Sequence, residues 1–228
     1  MVSETAPVDA SAMAILKASR DVIRPTVLEF FSSDSCIATT RITIDVLAYF
    51  GIMAKPLAVE TLIFNAEAME RVRAGVGFDE LRREVDALSR GDPGGPWTIG
   101  LGFAKSAADA GRHMMAWVPP LGLGLDYSLD QVSRPHKGME LTASVFEMAT
   151  GHQDASENGL LPEGYVFSVE IPRSSPYGPV YLEYRVIADW FRGSPNWRRT
   201  STIQEYAKAT FRDITGRAIK EIRSRIEI

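Results

Sequence analysis

The chain has 228 residues and 25.1 kDa, of which 45% are apolar and 24% charged, enough for one ordinary globular domain. Its 25 Lys+Arg against 29 Asp+Glu leave a formal net charge of −4, which argues against a general electrostatic hold on nucleic acid. A single thiol, Cys36, excludes an intrachain disulfide and any multi-cysteine zinc site. Met1 to Ala12 is acidic and polar, with no basic region followed by an apolar run, and no stretch of about 18 apolar residues occurs. These features predict a soluble, cytoplasmic protein without a membrane partner.

Ala12 to Arg24 sets Ile15, Leu16, Val22 and Ile23 at helical spacing, and Pro25 is expected to stop that helix. Val27 to Phe31 supplies a second apolar patch. Ser32-Ser33-Asp34-Ser35 is a run of N-cap residue types, so Cys36 to Phe50 is predicted as a helix that Gly51 terminates, with Arg41 and Asp45 as an i,i+4 pair. Pro56 to Phe64 reads as a strand. Ala66 to Ala74 and Phe78 to Ser89 carry charges at helical spacing and form a helical insertion over about 65–95, closed by the loop Arg90 to Pro96. Trp97 to Phe103, His113 to Val118 and Leu121 to Tyr127 are candidate strands, the last two joined at Pro119-Pro120.

Leu141 to Met148 is open between strand and helix, and Thr150 to Gly159 is a polar loop. Tyr165 to Ile171 and Val180 to Ile187 alternate as a hairpin around the turn-rich Pro172 to Pro179. Ser201 to Ile226 is predicted as one long amphipathic helix, with Ile203, Tyr206, Ala207, Phe211, Ile214, Ile219 and Ile222 near its apolar face. Packing on the chain's own sheet is the first expectation for that helix, and association with a second copy of the chain the other. The expected class is α+β, N-terminal helices on an antiparallel sheet with a long C-terminal helix, in one domain over 1–228.

Thiol chemistry on a carbonyl needs a thiolate, a base and a group that orients the base. Cys36 sits in the first turn of its helix, where unsatisfied N–H groups and the macrodipole favour the anion. The alternative is an inert buried side chain, cysteine being among the most buried residue types. A hairpin turning at Pro119-Pro120 sets His113 opposite Asp126, and a carboxylate on an apolar strand needs such a partner. Asp130, four residues on, is a second choice for the orienting carboxylate.

The run Cys36-Ile37-Ala38-Thr39-Thr40 through Val46 to Phe50 and Gly51-Ile52-Met53-Ala54-Lys55-Pro56-Leu57 resembles the core of transglutaminase-like proteins. There a nucleophilic cysteine begins a helix that ends in a Gly-Ile-x-Ala-Arg type turn entering a strand. His113 opening a strand with Trp117 close by, a short hairpin, and Asp126-Tyr127-Ser128 follow in the same order, so the resemblance spans roughly residues 32 to 131. It implies a circularly permuted papain-like core over about 12–135, followed by the hairpin and helix of about 160–228. It also implies Cys36 as nucleophile, His113 as general base and acid, and Asp126 as orienting carboxylate. The implied activity is that of a cysteine hydrolase or acyltransferase on a protein, peptide or small amide or ester. The other reading is an inactive binding or assembly module of the same fold.

Two departures stand out. The twenty residues ahead of Cys36 hold no Gln, Asn, Trp or Tyr to serve as a second oxyanion donor, leaving Ser32, Ser33 and Ser35 as candidates. The Arg-Gly-Gly approach of arylamine N-acetyltransferases is missing, which weakens acyl transfer from a CoA thioester. His136 and His152 sit in polar loop sequence, and the three histidines show no His-x-x-x-His spacing. The glycines of Gly91 to Gly95 and Gly100 to Gly102 match no phosphate loop. Neither metal nor cofactor is expected. Trp190, Trp197, Arg192, Arg198 and Arg199 form a basic aromatic stretch suited to an acidic partner or to a solvated turn.

Overall fold

The computed structural model describes residues 10–76, 98–101, 112–133, 135, 139–148, 159–175, 178–200 and 210–226. The predicted helix Phe78 to Ser89, the loop Arg90 to Pro96, His136, His152 and the start of the last predicted helix at 201–209 lie outside them.

Helix α1 runs Ala10–Leu28 with Pro25 inside it, so the expected stop at Arg24 does not occur. Pro25 and Asp21 both face solvent, so the Asp21 carbonyl that loses its helical donor is on the wet side. In the same turn Thr26 Oγ1 donates to the Val22 carbonyl at 2.8 Å. Helix α2, Cys36–Tyr49, ends as its residues predict. Gly51 takes φ +75°, its N–H donates to the Ala48 carbonyl (3.1 Å) and that of Ile52 to the Leu47 carbonyl (2.9 Å), the paired bonds of a Schellman turn. At the other end Ser35 occupies the N-cap without a side-chain capping bond.

Seven strands make one antiparallel sheet among the described residues. They are β1 (Lys55–Asn65), β2 (Thr98–Leu101), β3 (His113–Val118), β4 (Leu123–Asp126), β5 (Ser144–Glu147), β6 (Val166–Ser175) and β7 (Gly178–Val186). The order is β5-β4-β3-β1-β7-β6, with β2 beside the second half of β1. The stretch Leu141 to Met148 thus resolves as strand. The β6–β7 hairpin is longer than predicted: a register shift between Ile171 and Ser175 absorbs Pro172, and pairing continues to Ser175 and Gly178. Asn65 Oδ1 accepts the Ala68 N–H at 3.0 Å and so starts α3 (Ala66–Arg73), the described part of the predicted insertion.

Helix α4 is the single turn Pro195–Arg198, and α5 runs Phe211–Ile226. The predicted single helix is interrupted at Thr210, and α5 begins at Phe211. Thr210 and Asp213 close a reciprocal capping box, with the Thr210 N–H donating to Asp213 Oδ2 (2.8 Å) and the Asp213 N–H to Thr210 Oγ1 (3.2 Å). Nor is the sheet the main neighbour of α5, whose buried stripe Phe211, Ile214, Ala218 and Ile222 lies against α1 and α2. Those two helices already cover that face of the sheet, through Ala116, Val118, Leu123 and Leu125, and α5 completes the helical layer. No helix among the described residues is long and apolar enough to cross a membrane.

The other face of the sheet holds Leu57, Val59, Met115, Trp117, Phe167, Leu182 and Tyr184, covered by Leu129, Val132, Met139, Leu141 and Leu161. The sheet curls until aromatic rings of its two outermost strands meet: Phe146 of β5 lies 6.2 Å from Phe167 of β6, and Tyr184 stacks on both. Gly124 makes this closure possible, since a Cβ there would collide with the Phe146 ring and with Met115 Cε. Gly124→Val is therefore expected to cost about 2–3 kcal/mol, read as a lower urea midpoint. A loss below about 0.5 kcal/mol would show that the ring does not need this approach.

Candidate functional site

Strand β3 opens with His113, and its hairpin to β4 carries Asp126. The connection is a 3-10 turn over Pro119–Leu121 followed by Gly122 in the left-handed region, longer than a turn centred on Pro119-Pro120. The register therefore moves by two residues. Ala116 faces Leu125 and Val118 faces Leu123, so His113 and Asp126 are diagonal neighbours on one face rather than directly opposite. Diagonal side chains still meet when one is long enough, and His113 Nε2 lies 2.7 Å from Asp126 Oδ2.

Asp126 is wholly buried, His113 is 1% exposed, and other donors complete the carboxylate. Tyr184 Oη donates to Oδ2 at 3.0 Å, and the Ser128 N–H and Oγ–H approach Oδ1 at 3.3 and 3.5 Å. Such a set satisfies an ionised carboxylate in a dry place. Burial alone would push the imidazole towards its neutral form, but the Asp126 charge and hydrogen bond outweigh it and raise His113 from 6.5 to about 10. The Cys36 sulfur lies close enough to add to that rise. Burial, with the nearby Asp126 charge, pushes the Tyr184 phenol well above its usual value, so it stays a donor.

Cys36 is the first residue of α2, 5% exposed, and packs with Ala58, Met114 and Phe191. Its sulfur is 3.8 Å from the carbonyl oxygen of Arg112, the residue before His113. The thiol thus comes from the helical side of the sheet and the imidazole from the other, and they meet at the start of β3. Gln131, from the 3-10 turn Leu129–Val132, places its amide nitrogen 2.6 Å from His113 Nδ1, so both ring nitrogens have partners, Nε2 in Asp126 and Nδ1 in Gln131, and neither is left free for Cys36 as a lone carboxylate partner would have left it.

Asp130 does not orient the histidine. Both its oxygens take the guanidinium fork of Arg24, from Nε (2.7 Å) and Nη2 (3.0 Å). Arg24 is 4% exposed and also donates to Ser35 Oγ and Thr39 Oγ1, each at 3.0 Å, and to the Ser33 carbonyl. One side chain of α1 thereby ties the start of the Cys36 helix to the turn that carries Gln131. Of the serines ahead of Cys36, Ser32 donates its hydroxyl to Asp34, Ser35 Oγ accepts from Arg24, and Ser33 meets Arg24 through its backbone carbonyl, so only the Ser32 hydroxyl proton is committed by these bonds. Trp117 sits in the core of the far face, its indole N–H donating to the Gly159 carbonyl at 3.1 Å.

Arg24, Gln131 and Tyr184 escape sequence reasoning. Tyr184 looks like one more inward residue of an alternating strand, and nothing in local spacing singles out the other two. Among the described residues no group of His, Cys, Asp or Glu is arranged to hold a metal ion. A cleft of about 300 Å³ lined by Ile15, Phe50, Ile52 and Leu121 lies away from Cys36, at the other end of α2. No family model, no curated protein and no solved structure matches the chain, so its function is read from this arrangement of side chains.

Proposed function

We propose that the protein is a cysteine hydrolase or acyltransferase with a transglutaminase-like, circularly permuted papain-like core. The observation that carries this reading is the buried Asp126–His113 pair at 2.7 Å with the only thiol of the chain at a helix start, its sulfur 3.8 Å from the carbonyl oxygen of the residue before that histidine. The N-terminus of α2 is a place that favours a thiolate. The thiolate attacks the carbonyl of an amide or ester in a protein, peptide or small molecule. His113 protonates the leaving amine or alcohol, and water or an amine resolves the thioester. Asp126 keeps the ring oriented and charged, and Tyr184 and Ser128 hold Asp126.

Alkylation of Cys36 by iodoacetamide tests this without a substrate. The rate is expected to be high at pH 6–7, well below the free-thiol value of about 8.5. Cys36→Ala is expected to abolish turnover of amides and esters while keeping the fold, the thiol being small and nearly buried. A rate that rises only near the free-thiol value, or turnover that survives in Cys36→Ala, would refute the proposal. The burial of Cys36 and His113 favours, as a second reading, a non-catalytic binding module of the same fold. That reading expects an inert thiol in the same measurement.

A further inference from the structure

We infer that the group brought to Cys36 carries a carboxylate, received by the Arg112 guanidinium and the Trp190 indole N–H; this rests on the acyl chemistry proposed above and specifies its substrate. Arg112 immediately precedes His113, and its own carbonyl is the oxygen beside the Cys36 sulfur. Its guanidinium lies 5.9 Å from the Trp190 ring, and no carboxylate among the described residues pairs with it. Trp190 Nε1 is buried with no acceptor, and so is Nε of Arg41, which lies on α2 past Cys36 with its guanidinium 4.8 Å from the Trp197 ring. Both tryptophans pack on the group formed by Cys36, Ala58, Met114 and Phe191.

An indole N–H and a guanidinium can only donate, so what completes this patch must be an acceptor. A carboxylate satisfies the cation and the N–H together. The surrounding charge agrees. Arg41 lies over the Trp197 ring, Arg112 over Trp190 and Arg192 over Phe191, and Arg198 donates to the Arg192 carbonyl, on a chain whose net charge is −4. Asp189 is engaged by Arg192, and Asp45 by Arg41 and Arg199, which leaves Arg112 and Arg198 without a carboxylate among the described residues. A basic ligand would leave the same donors unmatched, and a neutral carbonyl would match the N–H without balancing the cation.

Two alkylating reagents that differ only in this charge supply the test. In both, the Cys36 thiolate displaces iodide from a CH2 group, forming a C–S bond; iodoacetate brings a carboxylate and iodoacetamide a neutral amide. The iodoacetate-to-iodoacetamide rate ratio at pH 7, followed by mass spectrometry on Cys36, is expected to be about tenfold higher in the folded protein than in the urea-unfolded chain. Added salt should lower it. Arg112→Met should remove most of the preference and Arg112→Lys should retain part of it. A folded-state ratio at or below that of the unfolded chain, or one unchanged in Arg112→Met, would overturn the inference. If Arg112→Met does not fold, the wild-type ratio and its salt dependence decide. Failure of the acyl chemistry has a different signature, a high ratio with no turnover of any ester.

Discussion

Asp126→Ala is expected to destabilise the protein by about 3–5 kcal/mol, a large part of the stability of an ordinary domain. The carboxylate is wholly buried and accepts from His113, Tyr184 and Ser128, so its removal leaves the donors of three residues facing a dry gap. Urea unfolding gives the magnitude, and pH gives the cause. The folded-state value of His113 lies near 10 against an ordinary 6.5. The pair's contribution is therefore fully present below about pH 6.5 and is lost as pH rises through about 10. Asp126→Asn, which keeps an acceptor but not the charge, should show its greatest deficit near pH 6 and approach wild type near pH 10. A deficit equal at both ends would mean that the pair is neutral. In the same Asn variant turnover is expected to fall by about 10³–10⁴, as when an orienting carboxylate is lost from other catalytic triads. The site thus cannot be dissected by three fold-neutral substitutions: Cys36→Ala is the mild one, and Asp126→Ala is a structural lesion as well.

Arg24→Met is expected to cost about 3 kcal/mol and to slow Cys36 alkylation at pH 6–7. Its guanidinium is buried against Asp130, Ser33, Ser35 and Thr39, so methionine fills the volume but strands a carboxylate and two hydroxyls. Asp130 keeps 30% of its side-chain surface in water, which holds the figure at the lower end of the range for buried pairs. Lysine cannot reproduce the fork and should recover less than half of the loss. The functional effect is geometric: Arg24 holds the start of α2 and the turn bearing Gln131 at a fixed separation, and His113 lies between them. A double-mutant cycle with Asp130→Asn should give a coupling above about 1 kcal/mol. If Arg24→Met lost stability yet kept the alkylation profile of wild type, Arg24 would be a staple of the fold with no bearing on the thiol.

Some of this was legible because it is local. The start and end of the Cys36 helix, the strand opening with His113 and the hairpin after it all rest on signals within a few residues. That hairpin was enough to join His113 to Asp126, even though its true turn moved the register by two. Pro25 misled because the penalty for proline in a helix depends on whether the freed carbonyl reaches water, and Asp21 lies on the wet face. The apolar spacing that suggests one helix across Thr210 hides the Thr-x-x-Asp box that begins a helix at Phe211.

By itself the sequence determined the α+β class, the membership of most elements and the three residues at which chemistry could be sought, since periodicity, caps and turn residues act over short distances. Only the tertiary structure decided what surrounds those residues. Arg24 meets Asp130 across 106 positions and Tyr184 meets Asp126 across 58, and such pairings follow from the curl of the sheet rather than from any local pattern. The surroundings of the lone cysteine are decided in the same way. Its type and its place at a helix start follow from the sequence, while the Arg112 carbonyl beside its sulfur and the packing of Met114 and Phe191 against it exist only once β3, α2 and the 187–199 segment are packed together.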